Sequence, residues 1–376
     1  MDRGINSHIR TDLEHKIVLL TGPRQSGKTT IAKSLFTSFD YLNMDNSMHM
    51  QHAINKYWDR GKQLLILDEF HKFKNWKRFI KGVYDTEGLT PKILITGSAK
   101  LDTYNKVGDS LAGRYFKYRL YPIDIQEACV YWENDPKAAF NRIMTCSGFP
   151  EPFLNGNTGY YKRWLKTHTE IILKQDLIDL TAVRSIKAIE LLYHLLKNRV
   201  SSNINYANLA GDIQCDPSSI KQWIDILENM YMVFKITPYH KNIARSLLKE
   251  PKIYCYDFAS IMDEGAKLEN LVALSILKRL HFLEDIEGAN AVLHYCRTKD
   301  GKEIDFLVKI ESTTYLIEVK TSESKISQNF AYFAKFCENV KCIQLVKNLD
   351  REYTTMQGYE VRALIPWLAE IDKNLI

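Results

Sequence analysis

The sequence predicts an α/β protein of several domains, with a parallel sheet near its N-terminal end and a further α/β domain near its C-terminal end. Three stretches carry that prediction. A glycine loop, Thr21 to Thr30, lies between the apolar run Ile17-Val18-Leu19-Leu20 and the segment Ile31 to Phe36, which is the strand, tight loop and helix order of a phosphate-binding turn. A second apolar run, Leu64-Leu65-Ile66-Leu67, ends in Asp68-Glu69, as a buried parallel strand does when its carboxyl end faces a ligand. Between 302 and 320, two runs alternate polar and apolar residues about a turn, the pattern of paired strands.

A chain of 376 residues, 45% hydrophobic and 26% charged, has room for several domains of about 100 to 200 residues each. That composition excludes a disordered or collagen-like chain. The net charge of +6 is compatible with nucleic acid without demanding it. Cysteines stand at 129, 146, 215, 255, 296, 337 and 342. Their odd number and the lack of any Cys-x-x-Cys argue for reduced thiols in a cytoplasm, against a disulfide framework or a zinc site. Met1 to Asn6 lack the apolar stretch of a signal peptide, and no apolar run reaches the roughly 18 residues of a membrane span, so a soluble, intracellular protein is expected.

The loop fits Gly-x-x-x-x-Gly-Lys-Thr, and Gly22, Pro23, Arg24, Gln25, Ser26, Gly27, Lys28, Thr29 and Thr30 are the candidate ATP-binding residues. The two glycines let the backbone curl around phosphate, Lys28 supplies a mobile cation for the β and γ phosphates, and the Thr29 hydroxyl suits Mg²⁺. Tyr41 to Asp45 reads as a second strand, followed by a polar helical segment to about Arg60. At the end of the Leu64 strand, Asp68 is placed to hold Mg²⁺ and Glu69 to orient or deprotonate the attacking water.

From Asn75 onward, Trp76, Phe79, Ile80 and Val83 repeat with helical spacing. Lys74, Lys77, Arg78 and Lys81 share that segment and are read as its solvated outer face rather than as a nucleic-acid surface. Ile93 to Ser98 forms another core strand with a polar tip, where Ser98 is a candidate sensor of the γ-phosphate or the water, a simple helix cap being the alternative. Ser110 to Arg114 precede a fifth strand, Tyr115 to Leu120. Arg114 is the candidate arginine finger, acting in its own subunit or a neighbour's, or else a surface ion pair.

Gly22 to Thr30, Asp68-Glu69-Phe70-His71, Gly97-Ser98, Ser110-Leu111-Ala112-Gly113-Arg114 and Tyr121-Pro122 resemble the prokaryotic AAA-type ATPases that carry a C-terminal domain of unknown function numbered 4143. Gly148-Phe149-Pro150-Glu151 and Lys174-Gln175-Asp176-Leu177 extend the likeness over nearly the whole chain. Where that family tends to show two glycines before its Phe/Met-Pro-Glu motif, this chain has Ser147-Gly148.

The domains expected are an ATPase core over 1–122, a helical lid or connector over 123–180, a winged helix over 181–258 and a further domain over 259–376. Arg142 and Arg163, on the helices of the lid, receive no role. The winged-helix pattern rests on helix, turn and helix from Tyr206 to Ile224, with Asp216 as N-cap and Pro217 at the first helical position. Two strands follow, Met232 to Thr237 and Lys252 to Tyr256, around a loop holding His240, Lys241, Arg245 and Lys249. The would-be recognition helix sets one lysine, Lys221, against Asp225 and Glu228. Few DNA contacts would come from it, any DNA binding would fall to the basic wing, and packing on the core or on a partner is the preferred reading.

In the last domain, a turn at 311–314 would pair residues whose numbers sum to 625. Ile310/Tyr315, Val308/Ile317 and Phe306/Val319 then form one apolar face, and Asp305 faces Lys320 with Glu318 diagonal to both. Glu303 shares that face. Carboxylates beside a lysine suit metal-assisted phosphodiester cleavage. Asp305 and Glu318-Val319-Lys320 are similar to the Asp and Glu-x-Lys of the restriction-endonuclease-like superfamily, and Glu269 matches the acid that those folds place on their first helix. The resemblance implies Glu269, Asp305 and Glu318 as ligands of Mg²⁺ or Mn²⁺, with Lys320 catalytic. A surviving fold with an inert site remains the alternative. Two readings of the whole chain stay open: a Mg²⁺-dependent ATPase whose C-terminal part engages DNA, and an ATP-driven switch that binds a protein partner. A finger acting between subunits would require a homo-oligomer.

Overall fold

The computed structural model describes residues 3–73, 75–97, 111, 113–132, 134–176, 186–239, 250–322 and 325–376. The chain divides into two units, 1–122 with 229–231, and 123–228 with 232–376.

The first unit is built on five strands: β1 (Ile17–Thr21), β2 (Phe39–Asn43), β3 (Leu64–Asp68), β4 (Lys92–Gly97) and β5 (Tyr115–Arg119). All pairs are parallel, in the order β2-β3-β4-β1-β5. β1 and β3 are buried along their whole length, as their unbroken apolar runs demand of strands covered on both faces. β4 is inserted between β1 and β3. Helices α1 (Asn6–Asp12), α2 (Lys28–Ser34), α3 (Ser47–Ile54) and α4 (Trp76–Glu87) belong to this unit. Asn46 caps α3 by accepting from the amides of Met48 and His49, which sets where that helix begins. Along α4, Trp76, Ile80 and Val83 are buried in a cluster with Leu65, Leu67 and Phe70. Of the bases on this segment Lys77 is buried and Arg78 exposed, while Lys74 lies outside the described residues.

The second unit opens with α5 (Ile125–Cys129), α6 (Pro136–Cys146), α7 (Pro150–Asn155) and α8 (Thr158–Ile171), then α9 (Ile186–Lys197), α10 (Tyr206–Ile213) and α11 (Pro217–Asn229). Asp124, Asp135 and Asn157 cap α5, α6 and α8, and Asp216 accepts from the Ser218 amide at the start of α11. Arg142 donates to the Phe153 carbonyl, a structural bond within this helical segment.

An eight-stranded sheet completes the unit: β6 (Val233–Pro238), β7 (Lys252–Cys255), β8 (Ala291–Arg297), β9 (Glu303–Ile310), β10 (Thr313–Lys320), β11 (Val340–Val346), β12 (Tyr353–Thr354) and β13 (Glu360–Ala363), in the order β12-β13-β11-β10-β9-β8-β6-β7. Helix α12 (Glu264–Phe282) packs along one face against β7, β8, β9 and β10. Leu307 and Leu316 on the other face join Phe330 and Phe333 of α13 (Asn329–Phe333) in a second core.

β6 pairs with β8, so one sheet has strands on both sides of residue 258, and the basic residues of the expected wing, 240–249, lie outside the described residues. Three expectations are revised here. β9 and β10 pair with numbers summing to 623, as in Tyr315↔Val308 and Ile317↔Phe306, because the turn is the two residues Glu311-Ser312 rather than four. β10 is buried on both faces from Thr314 to Glu318 and β9 from Phe306 to Val308, while β9 keeps the expected alternation at its ends, with Lys309 exposed. Continued one residue beyond Ile317↔Phe306, the β9–β10 register sets Asp305 opposite Glu318 rather than Lys320, and the Asp305 carboxylate accepts from the Val319 amide at 2.8 Å. On the other side of β9, between His294↔Leu307 and Cys296↔Ile304, β9 advances three residues to two on β8, a β-bulge at Asp305-Phe306.

Among the described residues no helix is long and apolar enough to cross a membrane.

Candidate functional site

The loop after β1 is shaped by contacts that only glycine permits. A Cβ on Gly22 would stand 2.2 Å from the Leu120 carbonyl oxygen, and its φ of +152° is one that side chains rarely adopt. Gly27, in the left-handed region, starts α2. Lys28 is buried, its ammonium donating to the carbonyls of Gly22 at 3.0 Å and Pro23 at 2.7 Å. The Ser26 hydroxyl is buried with no hydrogen-bond partner among the described residues. Arg3, itself buried, donates to the Tyr121 carbonyl at 2.7 Å and reaches the Ser26 carbonyl at 3.5 Å, bracing the loop against the end of β5. Arg24 is half-buried, and Gln25 and Thr30 are exposed.

Asp68 ends β3 with its carboxylate gripped by three hydroxyls. Thr29 donates to Oδ2 at 2.9 Å and Tyr41 to the same oxygen at 2.6 Å, while Thr96 donates to Oδ1. Burial and the Asp68 carboxylate hold the Tyr41 phenol well above its usual range, so it stays a donor at any physiological pH. The Lys33 ammonium sits 3.7 Å from the Tyr41 ring centre, a cation–π contact. Tyr41 and Thr96 were not among the residues that the sequence singled out. Both stand on strands flanking β3, and their convergence is a product of the β2-β3-β4 order.

Glu69 turns out of the sheet with φ of +53°, an uncommon conformation for a side-chain residue that marks a locally imposed geometry. Its Oε2 lies 3.4 Å from His71 Nδ1, and the His71 side chain is 5% exposed. Burial holds the His71 pKa below its usual value, giving a neutral imidazole beside the carboxylate. Ser98 lies outside the described residues. Arg114 is at the wrong end of the sheet to serve its own loop: its carbonyl accepts from the Ile17 amide at the start of β1, whereas the loop follows the end of that strand. Its guanidinium pairs with Asp85 of α4 at 2.8 Å. Five residues of strand span roughly 16 Å, longer than an arginine side chain.

In the second unit the fold gathers Glu269 of α12, Glu303 and Asp305 of β9, and Glu318 and Lys320 of β10, as the sequence anticipates, and adds Lys252 of β7 at their centre. The Lys252 ammonium lies 2.6 Å from Glu303, 3.1 Å from Glu269 and 3.9 Å from Asp305, with its side chain 2% exposed. The Tyr254 hydroxyl donates to Glu269 at 2.7 Å. Glu318 pairs through Oε1 with Lys320 at 2.7 Å, and its Oε2 is buried with no hydrogen-bond partner among the described residues. Burial pushes the Glu269 carboxyl up to about 8 and the Glu318 carboxyl up to about 7, and raises Asp305 as well. The carboxylates raise Lys252 above its usual value despite its burial. Among the described residues no three His, Cys, Asp or Glu side chains are arranged to hold a metal ion. Of the expected ligand set, Glu269 and Asp305 thus close with Glu303 around the Lys252 ammonium, while Glu318 pairs with Lys320. Lys252 carried no signal in the sequence, where it reads as the first residue of a strand.

A parallel sheet with an inserted strand, a Gly-Lys-Thr loop after β1 and an acidic tip on β3 define a P-loop domain of the ATPase type. The family comparisons agree: residues 14–129 match the model of the AAA domain, 137–262 a domain of unknown function (DUF8612) and 264–367 a domain of unknown function (DUF4143). The chain thus carries an AAA domain over 14–129 and a DUF4143 domain over 264–367. It is 24% identical over 326 residues to an uncharacterized protein of Mycobacterium tuberculosis, covering 83% of this chain and 72% of that one. It is 20% identical to an uncharacterized protein of Haemophilus influenzae, over 94% of each. Among solved structures, the RuvB Holliday junction branch migration motor of Thermotoga maritima aligns at 14% identity and a TM-score of 0.33, over 66% of this chain and 96% of that one. Cdc6p of Pyrobaculum aerophilum aligns at 12% identity and a TM-score of 0.26, over 68% and 88%.

Proposed function

We propose that this chain binds ATP with Mg²⁺ and hydrolyses it, using Asp68 to hold the ion through its water shell and the carboxylate of Glu69 to align the attacking water. The observation that carries this reading is the convergence of Thr29, Tyr41 and Thr96 on Asp68 beside a loop that ends in Lys28. The residues fit the ion: a serine hydroxyl left unpaired in the loop, a threonine hydroxyl already turned to the strand-end carboxylate, and close packing that leaves no room for a Cβ at Gly22. When bound, Mg²⁺ supplies positive charge to the phosphate oxygens. Loop amides and Lys28 hold the phosphates, Thr29 and Asp68 hold the ion's shell, and Glu69, steadied by His71, aligns the attacking water. Arg114 enters hydrolysis only as a finger offered to a neighbouring copy, which would make the active form a homo-oligomer. The test is turnover and nucleotide binding in variants. Lys28→Ala should lose ATP binding, and Glu69→Gln should bind ATP but hydrolyse it about 100-fold more slowly or worse; normal turnover in Glu69→Gln would overturn the assignment.

For the C-terminal region, the meeting of Glu269, Asp305 and Glu318-x-Lys320 supports a restriction-endonuclease-like fold and, with it, engagement of DNA. The buried Lys252 favours the second reading, an ATP-driven switch whose nuclease-like site does not cleave. Incubating the full chain and Asp305→Ala with single-stranded, linear and supercoiled DNA, in Mg²⁺ or Mn²⁺ and with or without ATP, separates the two. Cleavage lost in the variant establishes the nuclease, and no cleavage with ATP hydrolysis intact establishes the switch.

A further inference from the structure

We infer that Lys252 is a built-in counter-ion that takes the place of a divalent metal in the carboxylate cluster of the C-terminal domain. The inference deepens the switch reading given above. A metal ion in a site of this kind does two things: it neutralises carboxylates brought together by the fold, and it draws their oxygens to a common point. The Lys252 ammonium already does both for Glu269, Glu303 and Asp305.

Lys252 is also unable to step aside. Its backbone pairs with Ile236 in the sheet and bridges to Asn203, its side chain is 2% exposed, and its ammonium lies 5.5 Å from the centre of the Tyr295 ring. Lys320 differs, standing at the rim with its side chain 36% exposed and pairing with Glu318. The neighbouring charges reinforce this assignment. Glu303, the closest partner of Lys252, is bound on its other oxygen by Arg297 at 2.9 Å. A divalent ion entering here meets two fixed cations within the reach of one carboxylate. It would have to break the Lys252 pairs inside a low-dielectric interior, where an unpaired ammonium is costly.

The probe is Mn²⁺ alone, titrated into the nucleotide-free full-length protein and followed by the electron paramagnetic resonance signal of the free ion. The inference expects Mn²⁺ binding to the wild type to be the same, within twofold, as to Asp305→Asn. Lys252→Met should gain one site at least tenfold tighter than any in the wild type, and the double variant with Asp305→Asn should lose it again. Lys252→Gln, which keeps hydrogen bonding to the carboxylates, substitutes if the methionine variant does not fold. A wild-type site weakened tenfold or more by Asp305→Asn overturns the inference, and so does a folded Lys252 variant that gains no site. Metal binding of that kind without DNA cleavage would remove the counter-ion role and leave the switch reading standing.

Discussion

The Tyr41 hydroxyl donates to Asp68 Oδ2 at 2.6 Å, from the strand on the far side of β3 from the phosphate loop. It shares that oxygen with Thr29, so the carboxylate is fixed by a bond that no substitution in the loop itself would remove. A hydrogen bond to a charged group contributes about 1.5–3 kcal/mol. Tyr41→Phe is therefore expected to raise the Mg²⁺ concentration needed for half-maximal ATP hydrolysis by about tenfold. Binding of ATP in the absence of Mg²⁺ should stay within a factor of two. An unchanged Mg²⁺ requirement would show that Thr29 and Thr96 suffice to hold Asp68.

His71 is a positioning residue for Glu69, acting through the 3.4 Å contact to Oε2. Removing it frees a carboxylate held in a strained backbone conformation. His71→Ala should lower kcat by about tenfold and leave KM for ATP unchanged. If KM alone moves, the ring serves nucleotide binding and the positioning role is wrong.

Ser147 adopts φ of +70° and ψ of 164°, a region used almost only by glycine, at a cost of about 1–3 kcal/mol. Its hydroxyl is also buried without a hydrogen-bond partner among the described residues. Ser147→Gly should therefore stabilise the fold by about 1 kcal/mol and raise Tm by roughly 2–4 °C. The resembled family tends to carry glycine at this point of its motif, and the backbone here supplies the reason. A lower Tm in the variant would count against the strain.

Part of the pH dependence of stability follows from Glu269, whose carboxyl is pushed up to about 8 by burial from an ordinary value of 4.5, and Glu318, pushed up to about 7, adds a slope of the same sign. The folded state then holds the Glu269 proton more tightly than the unfolded one, so its contribution is complete below about pH 4.5 and is lost as pH rises towards about 8. Lys252 stays protonated across that window, its own value being raised, and adds no slope of its own. Between these limits stability should fall with pH, by at most about 1.4 kcal/mol per pH unit for one proton. Thermal unfolding at pH 6 and pH 8 measures this, and Glu269→Gln should show the smaller drop. Equal drops in the two proteins would place the titrating group elsewhere.

The sequence alone determined the nucleotide loop, the order of strands and helices around it and the acidic tip at Asp68-Glu69, whereas Glu269 was joined to Asp305, Glu318 and Lys320 through the restriction-endonuclease-like resemblance. The first three are local features: a glycine spacing and a buried apolar run are each written in a few consecutive residues. Tertiary structure decided what lies across strands. Tyr41 and Thr96 reach Asp68 because β2 and β4 flank β3, and Arg114 is parted from its own loop by the length of β1. In the C-terminal sheet, a two-residue turn resets the register of β10 and with it the residue that stands opposite Asp305. Lys252 arrives at the carboxylates from a strand more than fifty residues earlier than Asp305. Charge compensation depends on distances between distant segments, and no pattern of neighbours in the chain encodes those distances.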